Sequence, residues 1–136
     1  MSDVAVSLRW RGSGLVMDAT TPEALRVSLD SKRIEGASPP QLLLIALAGC
    51  TSIDIIDIAA KMRVDMASLE VEIEGDRAPE PPRRYTAIRA TYRVGGVDAA
   101  DQDKVRRALA LSEDKYCSVR HSLATDIEFS STLEFS

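Results

Sequence analysis

The sequence is short of the residues from which most sites are built. It holds one histidine and two cysteines, and the cysteines, Cys50 and Cys117, stand far apart, so no Cys-x-x-Cys pair announces a redox motif or a zinc ribbon. The glycine pairs Gly12/Gly14 and Gly95/Gly96 open no helix at the spacing of a phosphate-binding loop. No Gly-x-Ser-x-Gly elbow occurs. Basic charge is not in excess: the net charge is −4, which removes the electrostatic reason for binding nucleic acid. Repeats, linkers and low-complexity tracts are missing. The first residues, Met1 to Val6, lack the basic and apolar regions of a signal peptide. The longest apolar run, Leu42 to Cys50, is too short to span a bilayer and is followed closely by Asp54 and Asp57. These absences point to a soluble, cytoplasmic protein without a membrane partner. In that compartment a structural disulfide is unusual.

What is present is an ordinary globular composition, 45% hydrophobic and 28% charged over 136 residues, which suits a single domain, 1–136. Val4, Val6, Leu8 and Trp10 alternate with polar or small residues, Gly12-Ser13-Gly14 supplies a turn, and Leu15 to Ala19 returns as a second strand. Leu25, Val27 and Leu29 repeat the pattern as a third. Ser38, Pro39 and Gln41 then form a capping box with proline at the first helical position. The helix they open runs to about Met62 and is apolar on most of its faces, more than one small subunit covers, so a partner subunit is expected. Leu69, Val71 and Ile73 alternate with Glu70, Glu72 and Glu74. After a proline-rich loop, Thr86 to Val94 is a long strand with Arg89 and Arg93 on its other face, and cross-strand pairing accounts for both charge runs. A second helix covers Ala99 to about Asp114, with Val105, Ala108, Leu109 and Ser112 on one side. Ile127 to Phe135 is terminal strand material. The order of elements is that of an α+β fold and not of a β-α-β alternation.

Cys50 follows Gly49 in the middle of the long helix. Glycine there costs about 1 kcal/mol relative to alanine, so the close approach of another backbone is expected at that point. Cys117 lies just past the second helix. Taken alone, two distant cysteines are more often small buried hydrophobes than reactants. A metal reading would join Cys117 to His121, four residues on, with Cys50 as third ligand, but structural zinc sites show ligand pairs at two places and only one exists here.

The stretch Ser38-Pro39-Pro40-Gln41-Leu42-Leu43-Leu44-Ile45-Ala46-Leu47-Ala48-Gly49-Cys50-Thr51 resembles the central-helix motif of the OsmC/Ohr family. Leu111-Ser112-Glu113-Asp114-Lys115-Tyr116-Cys117-Ser118-Val119 resembles its second motif. The resemblance covers nearly the whole chain and is nearer to the OsmC-like branch than to the organic hydroperoxide resistance branch. It implies an intertwined homodimer, with two long central helices wrapped by antiparallel sheets, and a pocket in which Cys50 and Cys117 meet. It implies a thiol peroxidase acting on organic hydroperoxides. Cys50 would be the peroxidatic residue and Cys117 the resolving one, with an external dithiol (lipoyl or small thiol) as reductant and no metal, flavin or haem cofactor. The alternative is a non-catalytic OsmC-like dimer that binds a small molecule or serves as a scaffold. The hydroperoxide resistance branch activates its thiol with an arginine held by a glutamate. The glutamate position is Pro40 here, and Gln41 carries no charge. Arg11, or Arg9 beside it, is the candidate cation. Asp54, one turn after Cys50, is expected to raise the thiol pKa where it faces the sulfur.

Overall fold

The computed structural model describes residues 2–136. The chain is α+β, as the element order implies, and divides into two compact units, Met1–Leu43 and Leu44–Ser136. In the first unit, β1 (Ser7–Trp10), β2 (Val16–Thr20) and β3 (Arg26–Asp30) form an antiparallel sheet in that order. The β1–β2 turn works because Gly12 and Gly14 both take positive φ, 99° and 58°, a region closed to most side chains. Arg9, Arg11, Asp18, Arg26 and Ser28 share the polar face of this sheet. Asp30 is buried and accepts hydrogen bonds from the backbone N–H groups of Lys32, Ile34 and Glu35, which hold its carboxyl below the usual aspartate range.

α1 (Pro39–Lys61) begins at the expected capping box. Gln41 Oε1 accepts from the Ser38 N–H at 2.9 Å, and Ser38 Oγ accepts from the Gln41 N–H at 3.3 Å. With 23 residues, α1 is long and apolar enough to cross a membrane by length and composition. The apolar run in the sequence ends at Cys50, but the helix continues through Ile53, Ile55, Ile56 and Ile58. Leu47, Thr51, Ile55 and Ala59, one per turn, supply its buried side.

In the second unit, β4 (Ser68–Arg77), β5 (Tyr85–Gly95) and β6 (Glu128–Phe135) make the other sheet. β4 and β5 are antiparallel, as expected. β6 runs parallel to β5, so this sheet is mixed and departs from the all-antiparallel expectation. The physical reason is the connection. The chain between β5 and β6 passes through α2 (Gln102–Leu111) and α3 (Ser118–His121), and a helical crossover returns the chain in the same direction. The core of this unit joins Ile55 and Ala59 of α1, Ala90, Tyr92 and Val94 of β5, and Val105, Ala108 and Leu109 of α2. The wet face of the sheet carries the expected charge ladder: Arg89 pairs with Glu74 and Asp76, and Arg93 with Glu72 and Glu134.

Candidate active site

Both cysteines are free thiols, Cys117 fully buried and Cys50 half-buried. α1 positions Cys50, which follows the inward-facing Leu47 by three residues. Cys117 is positioned by an irregularity. α2 runs into a single π-helical turn, Ser112–Tyr116, closed by a 2.8 Å hydrogen bond from the Cys117 N–H to the Ser112 carbonyl. Such a turn adds one residue to the helix and re-aims the chain beyond it, a device frequent at functional sites. The chain then extends at Cys117 and re-enters helix as α3.

The two side chains pack into one cluster, and each acts on the acidity of the other. Around them, Thr51 Oγ1 donates to Cys117 Sγ at 3.4 Å, as does the Arg120 backbone N–H at 3.4 Å. Cys50 Sγ lies 4.0 Å from Ser118 Oγ, and the Val119 backbone N–H favours its thiolate. The environments push the two acidities apart. Burial works against the Cys50 thiolate, but hydrogen bonds from Val119, Cys117 and Ser118 outweigh it and lower the Cys50 pKa below its ordinary value. Burial dominates at Cys117 and raises its pKa, in spite of the donors Thr51 and Arg120. Cys50 is therefore the thiol that ionises first, and ionisation is what makes a cysteine a nucleophile.

Asp54 does act on Cys50 as expected, raising its pKa by charge repulsion, yet it does not set the net direction. Its carboxylate accepts a 2.8 Å hydrogen bond from Ser112 Oγ, a hydroxyl with no solvent exposure. Asp54→Asn keeps an acceptor for Ser112 and removes the charge. Cys50 in this variant is expected to react several-fold faster with iodoacetamide at neutral pH; an unchanged rate would show that the carboxylate does not act on the thiol.

Arg11 donates to both oxygens of Asp18, at 2.9 and 3.1 Å, and to Glu35 at 3.3 Å, which raises its pKa. The groups that lower the Cys50 pKa are hydrogen-bond donors, not cations. His121 does not turn its ring to a sulfur: Nδ1 lies 3.2 Å from the Cys117 carbonyl oxygen and Nε2 3.1 Å from that of Asp114. Among the described residues no group of three potential ligands is disposed to hold a metal. Sequence reasoning missed Thr51 and Arg120. Arg120 is ion-paired with Glu113 at 2.7 Å and stacks over Phe129 at 4.3 Å, packing α3 against β6. The one signal for Thr51 was its place beside Cys50, on the buried side of α1.

Residues 30–132, well over half of the chain, match the family model described as OsmC-like protein. The chain belongs to the OsmC-like family. Protein YhfA of Escherichia coli K12 is 37% identical over 97 residues, covering 71% of this chain and 72% of that protein. Among solved structures, a hypothetical protein from Aquifex aeolicus is similar at 24% identity and a TM-score of 0.87, over 100% of this chain and 98% of that one. A protein from Legionella pneumophila described as an organic hydroperoxide resistance protein OsmC is similar at 13% identity and a TM-score of 0.70, over 98% of both chains. At these identities the two structures establish a shared OsmC-like fold.

Proposed function

We propose that this OsmC-like protein is a cytoplasmic thiol-dependent peroxidase that reduces organic hydroperoxides in defence against oxidative stress. One observation carries the proposal: two free thiols lie in one packed cluster, and hydrogen bonding lowers the pKa of one while burial raises that of the other. That is the division of labour between a nucleophile and a thiol held in reserve. Family membership supports it, since fold relatives include proteins described as organic hydroperoxide resistance proteins.

In this reading the Cys50 thiolate attacks the terminal oxygen of R–O–O–H. The O–O bond breaks, an S–O bond forms, and the alkoxide leaves with a proton as the alcohol. Cys50 is then a sulfenic acid. Cys117, in the same packed cluster, attacks that sulfur; water departs and the Cys50–Cys117 disulfide forms. An external dithiol returns both residues to thiols by exchange. The scheme uses no metal, flavin or haem. Activation of Cys50 rests on hydrogen bonds, and a contribution from Arg11 is read with Arg11→Ala: a guanidinium acting on the thiolate predicts a raised Cys50 pKa, one serving only Asp18 and Glu35 predicts none.

The test is to mix reduced protein with cumene hydroperoxide and count free thiols. Both are expected to disappear rapidly. The rate should fall on acidification, as Cys50 is protonated, with a midpoint below that of an ordinary cysteine. Thiols that persist in excess hydroperoxide would sink the proposal and favour a non-catalytic binding role.

The proposed functional unit is a homodimer. Ile45, Ile53 and Ile56 of α1 are exposed at 56%, 67% and 53%. Gly49 lies on the same stripe of the helix, and a Cβ built there meets nothing within 4 Å. The close approach expected at Gly49 is thus not supplied by this chain. A second copy of α1 packed on the stripe would supply it, with each isoleucine contributing about 1.5–3 kcal/mol on full burial.

A further inference from the structure

The oxidative steps leave one buried group without a task. Thr51 is 2% exposed, and its hydroxyl faces the sulfur of Cys117, which is 0% exposed. A helical threonine commonly returns its proton to the carbonyl one turn back; this one gives it to a thiol. Tyr92 is buried on β5, where burial raises its pKa and the neighbouring Thr51 hydroxyl partly offsets that rise. The Thr51 hydroxyl ends on a buried sulfur.

We propose that Thr51 is a catalytic residue of the reductive half-reaction, holding Cys117 as the departing thiolate when an external dithiol opens the Cys50–Cys117 disulfide. The inference rests on the redox-pair reading above and goes beyond it by assigning the direction of reduction. Cys117 is enclosed by its own chain, whereas Cys50 is half-buried. An incoming thiolate therefore reaches the Cys50 sulfur. A bond forms between the reductant sulfur and Cys50, the S–S bond breaks, and its electron pair goes to Cys117. The second thiol of the same reductant, as thiolate, then attacks the reductant sulfur of the mixed disulfide. It leaves as a cyclic disulfide and releases the Cys50 thiolate. Two electrons pass from dithiol to protein, and protons from the reductant's thiols restore the cysteines.

The rate of such an exchange depends on the acidity of the departing thiol. In a buried site the thiolate is penalised, as the raised Cys117 pKa records. The Thr51 hydroxyl and the Arg120 N–H are the two donors that offset it.

The test forms the disulfide with diamide, so the readout needs no hydroperoxide and is independent of how fast Cys50 is oxidised by one. Reduction by dithiothreitol is then followed for the wild-type chain, Thr51→Val and Thr51→Ser. The valine variant keeps the volume and loses the donor. It is expected to be reduced roughly tenfold more slowly. The serine variant keeps the donor, loses a methyl group, and is expected to recover most of the rate, which a purely packing role would not produce. With 2-mercaptoethanol and an acid quench, the trapped adduct should map to Cys50. Equal reduction rates for wild type and Thr51→Val, a serine variant as slow as the valine one, or an adduct on Cys117 would each overturn the inference.

Discussion

Cys50→Ser is expected to abolish hydroperoxide consumption, lowering the rate by at least roughly 10³-fold, as removal of a nucleophile does. The serine hydroxyl is nearly isosteric with the thiol but does not ionise under the same hydrogen bonds from Val119 and Ser118, and it lacks the sulfur on which the two-electron oxidation takes place. The Cys117 that remains is no substitute, because burial raises its pKa and keeps it a thiol. The companion variant separates the roles. Cys117→Ser should still consume the first equivalent of hydroperoxide at Cys50. It should then stop at a sulfenic acid that dimedone traps, and pass to sulfinic acid under excess oxidant. Residual hydroperoxide and dimedone-labelled mass read both outcomes. A Cys50→Ser protein that turns over normally would remove Cys50 from the chemistry.

Ile53→Glu is expected to convert a dimer into monomers, read by sedimentation equilibrium. In the isolated chain this side chain is exposed and touches little, and a surface substitution of that kind changes stability by about 0.5 kcal/mol or less. In the proposed dimer the same carboxylate faces the apolar stripe of the second α1, where an unpaired charge costs several kcal/mol. The contrast makes the variant decisive: unaltered sedimentation, or a wild-type protein that is monomeric, would remove the dimer from the account. Far-ultraviolet circular dichroism checks that α1 survives the substitution.

Elements with local signals were legible in the sequence. The capping box of Ser38 and Gln41 places the start of α1 within a residue, because its two hydrogen bonds join neighbours in the chain. The alternation of Leu69, Val71 and Ile73 with three glutamates marks β4, and its partner arginines on β5 follow from cross-strand pairing. The direction of β6 was not legible. Strand periodicity is the same for parallel and antiparallel neighbours, and only the crossover through α2 and α3 decides between them. The two cysteines were singled out by the resemblance of their motifs, not by spacing. The groups that hold them were hidden for a physical reason. Thr51 and Cys117 belong to separate elements, and nothing local in a helical threonine says that its proton goes to a distant sulfur. The π turn that aims Cys117 inward has no composition of its own. Asp54 shows the limit of reasoning from one neighbour: its repulsion is present, but three hydrogen bonds contributed by the Cys117–Val119 segment prevail.

The central claim is that Cys50 and Cys117 of one chain form a disulfide in response to hydroperoxide. The most direct measurement is peptide mapping after a single equivalent of cumene hydroperoxide, with remaining thiols blocked before digestion. The account predicts one linked species joining the Cys50 and Cys117 peptides, reversed by dithiothreitol. Recovery of both peptides in the blocked, unlinked form, or linkage of two Cys50 peptides to each other, would contradict it.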